Sequence, residues 1–316
     1  MTPSPRISLA IPLYNEEEVF PELLRRLTAV LDSIAGGPHE IVFVDDGSID
    51  GTFEKVAAAA VEDARVVGLS LSRNFGHQAA LSAALDRVSG DVVIVMDGDL
   101  QDPPEVIPRF LEEHRRGFDV VYAQRASRKE GWILRACYYF FYRMIAVLSN
   151  VRLPLDSGDF ALLSRRVVDG VVAIPERHRY LRGLRAWVGF RQIGVLVERS
   201  QRAAGRSQYT FGKLLRLAFD GIFAFSMAPL RAAAFLGALA IGTAFLFAGY
   251  AVYVKFVQGK SPPGFTALIL IITFFSGIQL LFLGIIGEYL GRVYEETKGR
   301  PRYIVGRTVG RARNGS

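Results

Sequence analysis

The sequence predicts an α/β domain with a mostly parallel sheet, followed by helices at and in a membrane. From residue 7 to residue 123, short runs rich in β-branched residues alternate with helical segments, which is the pattern of a parallel sheet covered by helices. Residues 232–254 and 265–287 contain no charged side chain. Half of the 316 residues are hydrophobic, a share that favours membrane segments over a wholly soluble chain.

Short connections join the predicted strands and helices. The first helix is expected to open at Tyr14 and to run to about residue 35, with Asn15 as its N-cap and acidic residues in its first turn. Pro103 and Pro104 start a later helix, which Asp102 is expected to cap. The predicted strands are residues 7–12, 41–44, 66–69, 92–96 and 119–123.

Two carboxylates, Asp97 and Asp99, follow the fourth strand and are separated only by a glycine. Ligands of open α/β sheets bind at this carboxyl end of the strands. A divalent cation between the two acids and a diphosphate would remove their repulsion, and hard oxygen ligands suit Mg²⁺ or Mn²⁺. An isolated D-x-D sequence is more often a solvated turn, so the rest of the chain decides between these interpretations.

Acidic side chains recur after the first two strands as well, at Glu16, Asp45 and Asp46. This repetition favours a nucleotide site across the strand ends. The first strand is not followed by G-x-G-x-x-G and the chain has no P-loop sequence, so metal and basic side chains are expected to hold the phosphates. Asp45 is also a candidate for simply capping its turn. His77 and His178 are interpreted as helix-cap or surface residues.

Basic and aromatic residues mark the expected membrane surface. The segment 132–149 mixes aromatic residues with Arg135 and Arg143, which suits an interfacial helix; an ordinary packed helix is the alternative. Residues 209–230 are predicted to form a second interfacial helix. The formal charge of +7 is compatible with anionic lipid or phosphorylated ligands, and no nucleic-acid partner is expected.

The two uncharged stretches, 232–254 and 265–287, are each long enough to span about 30 Å of hydrocarbon. The segment from residue 288 to the C-terminus has seven Arg or Lys against three acids, which predicts that this tail and the N-terminal domain are cytoplasmic. The chain has no signal-peptide pattern and a single cysteine, Cys137. Residues 1–208 are therefore predicted as the catalytic domain, 231–289 as a transmembrane hairpin and 290–316 as a solvated basic tail.

Six motifs together resemble the family 2 glycosyltransferases with a GT-A fold, and among them the bacterial polyprenyl-phosphate glycosyltransferases related to dolichol-phosphate mannose synthase. The resemblance covers about residues 6–303. The motifs are residues 11–17 (IPLYNEE), 44–48 (VDDGS), 71–76 (LSRNFG), 97–104 (DGDLQDPP), 157–160 (SGDF) and 284–292 (GIIGEYLGR).

The resemblance implies a role for each candidate residue. Asp99 and Gln101 would hold Mg²⁺ or Mn²⁺, with Asp97 near the ribose and the metal. Asp159 would face the sugar and the acceptor. Arg135 and Arg143 are left open between lipid headgroups and the acceptor phosphate. The base and ribose would meet Pro12, Tyr14, Glu16 and Asp46, and the phosphates would meet Arg125, Arg202 and Arg206.

The implied reaction is an inverting transfer of a hexose from a nucleotide-diphosphate sugar to undecaprenyl phosphate. Because the acceptor phosphate is already largely ionised near pH 7, Asp159 is expected to position groups more than to remove a proton. UDP-glucose is the expected donor; GDP-mannose, a UDP-N-acetylhexosamine or a UDP-aminoarabinose are alternatives, and a homotetramer is expected. A non-catalytic membrane scaffold and a processive polysaccharide synthase are the competing hypotheses.

Overall fold

In the residues that the computed structural model describes, 5–125, 157–177, 179–198, 228–257 and 264–310, eight strands form one mixed sheet. Its order is β7-β5-β6-β4-β1-β2-β3-β8. The four strands β3, β2, β1 and β4 are parallel, as the sequence predicts. The strands are β1 (Ile7–Leu13), β2 (Glu40–Asp45), β3 (Val66–Leu71), β4 (Val92–Val95), β5 (Val120–Arg125), β6 (Ser157–Ser164), β7 (Gln192–Val197) and β8 (Val305–Val309).

Helices cover both faces of this sheet, because its central strands are buried on both sides. Side chains of the first, second and fourth helices pack on the face of Ile11 and Phe43, and those of the third, fifth and sixth pack on the face of Ala10 and Val42. The helices are α1 (Phe20–Asp32), α2 (Thr52–Glu62), α3 (His77–Arg87), α4 (Ile107–Arg115), α5 (Arg165–Ala173), α6 (Leu181–Trp187), α7 (Ala228–Val257) and α8 (Phe265–Thr297).

Two predicted helix caps are wrong. Helix α1 begins at Phe20 with Pro21 in its first turn, and Asn15 instead has a positive φ of 55° in the preceding loop. A short 3-10 helix, Pro104–Val106, precedes α4, and its N-cap position is occupied by Pro103 rather than Asp102. Proline explains both shifts, since it fits a helix start where no N–H partner is needed.

The sheet is not wholly parallel beyond β4. Strand β6 lies between β4 and β5 and is antiparallel to both. The pairing of β4 with β6 runs from Val92 opposite Ser164 to Val95 opposite Ala161. The same register continued by two residues sets Asp97 opposite Asp159. The inserted strand therefore brings Asp159 to the D-x-D motif.

In the predicted basic tail, Val305–Val309 are largely exposed, as expected of a solvated segment, but they are also part of the sheet, which the sequence pattern did not predict. These residues form β8, which pairs antiparallel with β3 at the edge of the sheet. Just before it, the Tyr303 hydroxyl donates to Asp86 at 2.7 Å and Arg302 donates to the Ile174 carbonyl at 3.2 Å. The positive charge of this segment gives no sign of a strand. Alternation of apolar and polar residues over only five positions is too weak a pattern to predict one.

Helices α7 and α8 belong to a second compact unit of the chain. Both are long and apolar enough to cross a membrane by length and composition, and the predicted spans 232–254 and 265–287 lie within them. The last ten residues of α8 carry four charged side chains, so the part before Glu288 suits hydrocarbon better. A Cβ added at Gly237, Gly242, Gly277 or Gly284 would meet nothing within 4 Å, so these glycines make no close helix contact with the described residues.

Several predicted features fall outside the described residues. They are Arg135, Arg143, Arg202 and Arg206, the interfacial helix at 132–149, the helix predicted at 209–230 up to residue 227, and the domain boundary at residue 208. Arg125 is the last residue of β5, where its backbone lies opposite Val197.

A buried carboxylate joins the amino ends of the central strands. Oε1 of Glu40 accepts hydrogen bonds from the Ser8 hydroxyl at 2.5 Å and from the Ser89 N–H at 2.5 Å, and Arg6 lies 3.4 Å from Oε2. Burial opposes ionisation, but these bonds and the Arg6 charge outweigh it and hold the pKa of Glu40 below its ordinary value.

We therefore expect Glu40→Gln to lower the free energy of unfolding by about 1 kcal/mol at pH 7. A lowered folded-state pKa gives stability that is present above the ordinary pKa and is lost as pH falls through the folded value. The difference between wild type and variant should thus shrink below about pH 4, measured as unfolding midpoints of the full chain in detergent. Glu22→Gln, on the exposed face of α1, is the control; an equal loss at every pH would contradict the prediction.

Candidate functional site

Four side chains meet at the carboxyl end of β4. His77 Nε2 lies 2.9 Å from Oδ1 of Asp97, and the two oxygens of Asp159 accept bonds of 2.7 Å each from Nε and Nη2 of Arg182. Ligand atoms of His77, Asp97 and Asp159 all lie within 4.8 Å of one another. The structure thus brings together two predicted site residues, Asp97 and Asp159, and adds two that the sequence argument did not select.

The histidine and the buried acid have opposite pKa shifts. Burial lowers the pKa of His77, but the bond to Asp97 and the charges of Asp97 and Asp159 outweigh it and raise it above the ordinary value. Burial raises the pKa of Asp159, whose side chain is only 9% exposed, but the bidentate Arg182 guanidinium outweighs this and holds it below the ordinary value. Asp159 is therefore an ionised anion with both oxygens occupied.

A second arginine stands one turn along α6. Arg185 is buried, its guanidinium lies 5.3 Å from the Tyr122 ring centre, and its Nε and Nη2 find no hydrogen-bond partner among the described residues. Burial lowers its pKa to about 10. A cavity of about 20 Å³ beside it is otherwise lined mainly by aliphatic side chains and also touches Asp159 and Arg182. A void of that size holds about one water molecule.

Gln78 connects the two helices that carry the cluster. Its Oε1 accepts a bond of 2.9 Å from the N–H of Leu181, the first residue of α6, and its Nε2 lies 3.4 Å from Nδ1 of His77. Helix α3 packs against β1 and β2, so Gln78 holds the start of α6 over the strand ends. The sequence feature next to His77 and Gln78 is the LSRNFG motif, which ends immediately before His77.

The carboxylates of Asp45 and Asp46, at the end of β2, accept hydrogen bonds from neighbouring loops. Asp46 accepts bonds from the N–H groups of Phe75 and Gly76 at 2.8 and 2.9 Å. Burial and the adjacent Asp45 charge raise the pKa of Asp46 in spite of those two bonds. Asp45 accepts from the Ser48 N–H at 3.1 Å and from the Ser70 hydroxyl at 3.0 Å, which confirms the interpretation of Asp45 as a turn cap.

The loop after β1 is joined to the same region. The N–H of Asn15 donates to Ser48 at 2.9 Å, and the Asn15 side chain accepts from the Ile49 N–H at 3.0 Å. The Glu16 N–H donates to the Thr52 hydroxyl at 2.9 Å, Tyr14 is half-exposed at 46%, and Pro12 is buried within β1. These bonds join the loops after β1, β2 and β3 to one another.

Asp99 turns back on its own loop, where its Oδ1 accepts the Gln101 N–H at 3.1 Å. A Cβ at Gly98 would lie 2.4 Å from the Leu13 side chain and 3.3 Å from the Pro12 carbonyl, so only glycine lets the D-x-D turn approach β1 this closely. The roles of Asp99 and Gln101 as metal ligands stay predictions. The donor set of His77, Asp97 and Asp159 does fit a divalent cation, since it combines carboxylate oxygens with an imidazole nitrogen.

Comparison with known proteins identifies similar chains. The model of "Glycosyl transferase family 2" matches residues 8–171. The protein named "Uncharacterized glycosyltransferase YkcC" of Bacillus subtilis (strain 168) is 42% identical over 304 residues, which are 96% of this chain and 94% of that protein. The "Bactoprenol glucosyl transferase" of Shigella phage SfX is 40% identical over 301 residues, which are 95% of this chain and 98% of that protein.

A solved structure is also similar. The "Mannosyltransferase PcManGT from Pyrobaculum calidifontis in complex with GDP-Man and Mn2+" is 18% identical, over 92% of this chain and 88% of that one, with a TM-score of 0.48. At that distance the likeness supports no conclusion about substrate or metal.

Proposed function

This chain belongs to glycosyl transferase family 2, and from that premise we propose that it transfers a hexose from a nucleotide-diphosphate sugar to a polyprenyl phosphate such as undecaprenyl phosphate. The cluster of Asp97, Asp159, Arg182 and His77 carries the proposal, because it sets paired carboxylates beside the guanidinium of Arg182 at the strand ends. The name of the phage relative supports the acceptor and the sugar.

UDP-glucose is the proposed donor, with Mg²⁺ or Mn²⁺. Asp97, Asp99 and Gln101 are proposed to hold the cation, which when bound would neutralise the leaving diphosphate. Pro12, Tyr14, Glu16 and Asp46 are proposed to line the base and ribose pocket, and Arg125, Arg202 and Arg206 to contact phosphates. GDP-mannose, a UDP-N-acetylhexosamine or a UDP-aminoarabinose are the alternative donors.

The bond that breaks joins the anomeric carbon to the diphosphate oxygen, and the bond that forms joins the same carbon to an acceptor phosphate oxygen. One in-line displacement inverts the anomeric centre. The acceptor is already an anion near pH 7, so no base has to remove a proton from it. The lowered pKa of Asp159 and its two bonds to Arg182 support a role in orienting the sugar and the acceptor.

Helices α7 and α8 suggest membrane association. We propose that they form a hairpin in the inner membrane, with the catalytic domain and both termini in the cytoplasm, and that Arg135 and Arg143 contact lipid headgroups or the acceptor phosphate. The excess of basic residues after residue 288 supports this orientation. A homotetramer is proposed as the assembly.

The test is a donor screen with the purified full chain in detergent, undecaprenyl phosphate and each metal. We expect UDP-glucose to yield free UDP and a glucosylated lipid, and we expect a chelator to stop the reaction until Mn²⁺ or Mg²⁺ is returned. The same screen without lipid phosphate is the control for hydrolysis. Failure of every donor to release its nucleotide would overturn the proposal and favour a non-catalytic scaffold.

A further inference from the structure

We infer that His77 is itself a metal ligand, through Nε2, and that its imidazole makes the site favour Mn²⁺ over Mg²⁺. The inference rests on the proposed metal-dependent function and goes beyond its D-x-D ligands. The motif that precedes His77 has no role in the proposed function, and among the described residues the cluster of His77, Asp97 and Asp159 has the spacing of a cation site.

The geometry fits an ion of octahedral preference. Neighbouring ligands of an octahedral ion at about 2.1 Å are about 3 Å apart, and His77 Nε2 lies 2.9 Å from Oδ1 of Asp97. In the metal-free protein these atoms share a proton in a hydrogen bond. Binding of the ion at Nε2 would move that proton off Nε2: a neutral ring would then carry its proton on Nδ1, and a doubly protonated ring would release one proton to solvent.

The backbone holds the imidazole at this position. His77 is the first residue of α3, and the preceding Gly76 has a φ of 97° that turns the chain into the helix. The Gly76 N–H is fixed by Asp46 at 2.9 Å. Gln78 Nε2 lies 3.4 Å from the other ring nitrogen, Nδ1.

The charges around the cluster explain why a neutral nitrogen ligand is useful there. The Asp159 charge is already balanced by Arg182, and Arg185 adds a further positive charge nearby. These two arginines weaken the attraction of the site for a bare cation. An imidazole adds affinity for Mn²⁺ without adding charge, whereas Mg²⁺ prefers oxygen ligands.

The experiment is electron spin-echo spectroscopy of Mn²⁺ bound to the full chain, without donor or acceptor. We expect coupling to a histidine nitrogen that changes when the protein is made with ¹⁵N-histidine, and that disappears in His77→Gln. That variant should bind Mn²⁺ about tenfold or more weakly, the range seen even for residues that only support a ligand, with a much smaller change for Mg²⁺. His114→Gln is the matched control, because His114 Nδ1 bonds only the Phe118 carbonyl at 2.8 Å.

Wild-type protein without nitrogen coupling would overturn the inference, and this readout does not depend on how any variant folds. Coupling retained in His77→Gln, or equal losses of Mg²⁺ and Mn²⁺ affinity, would also overturn it. Because no substrate is present, a failed donor screen with intact nitrogen coupling would count against the proposed function alone.

Discussion

Arg182→Met is expected to lower the free energy of unfolding by about 3 kcal/mol and to reduce transfer by a hundredfold or more, on the order of the loss of one transition-state donor. The variant leaves the Asp159 carboxylate buried without the guanidinium that donates two hydrogen bonds to it and balances its charge. The pKa of Asp159 should then rise, because burial is the largest influence on it and Arg182 is the side chain that bonds it among the described residues. Unfolding midpoints and initial rates of nucleotide release measure the two effects.

A double-mutant cycle that adds a substitution at Asp159 separates the effect on stability from the effect on the rate of transfer. In Asp159→Leu/Arg182→Met both charges are absent, so most of the lost stability should return while transfer stays absent. Arg25→Met is the control, since Arg25 pairs with Glu22 on the exposed surface of α1 and its loss should leave the midpoint unchanged. A single Arg182→Met variant with wild-type stability or rate would refute the assigned pairing.

The parallel half of the sheet could be predicted because each strand and helix there has a strong local pattern. Buried β-branched runs and amphipathic helices follow one another with short loops from Ile7 to Arg125. Strands β6 and β8 are different, because their neighbours are distant in sequence. Nothing local in residues 157–164 tells that they lie between β4 and β5, and the basic composition of the C-terminal segment concealed β8.

The candidate site was predictable to the extent that strand ends define it. Asp97 was chosen for its position after a strand and Asp159 because the family resemblance implies it, and the register of β4 and β6 brings them together. Arg182 was missed because it lies on a short helix whose position depends on Gln78. His77 was missed because one histidine at a helix start has many structural explanations, and only its distance to Asp97 distinguishes them.

Gly47, in the VDDGS motif, lies in the loop after β2 at a position that has no room for a side chain. Its φ is +70°, and a Cβ there would lie 2.5 Å from the carbonyl carbon of Arg73 and 2.6 Å from the nitrogen of Asn74. Both neighbours are backbone atoms of the loop that Asp46 holds by the N–H groups of Phe75 and Gly76. That loop cannot move aside without loss of those bonds and displacement of the residue that starts α3.

We therefore expect Gly47→Ala to destabilise the protein by about 2–5 kcal/mol, from about 1–2 kcal/mol of left-handed backbone strain and about 1–3 kcal/mol of overpacking. The KM for the donor should rise as well, because the displaced loop borders the proposed base and ribose pocket. Gly117→Ala is the matched control: its φ is also positive at 92°, but among the described residues a Cβ there would meet the flexible end of Arg191 at 3.4 Å, and it lies before β5, four strands away from β2 in the sheet. Gly117→Ala should lose the stability that left-handed backbone strain costs, with no change in the KM for the donor. Equal effects of Gly47→Ala and Gly117→Ala on stability and on KM would contradict the prediction that contact between the loops after β2 and β3 shapes the proposed donor pocket.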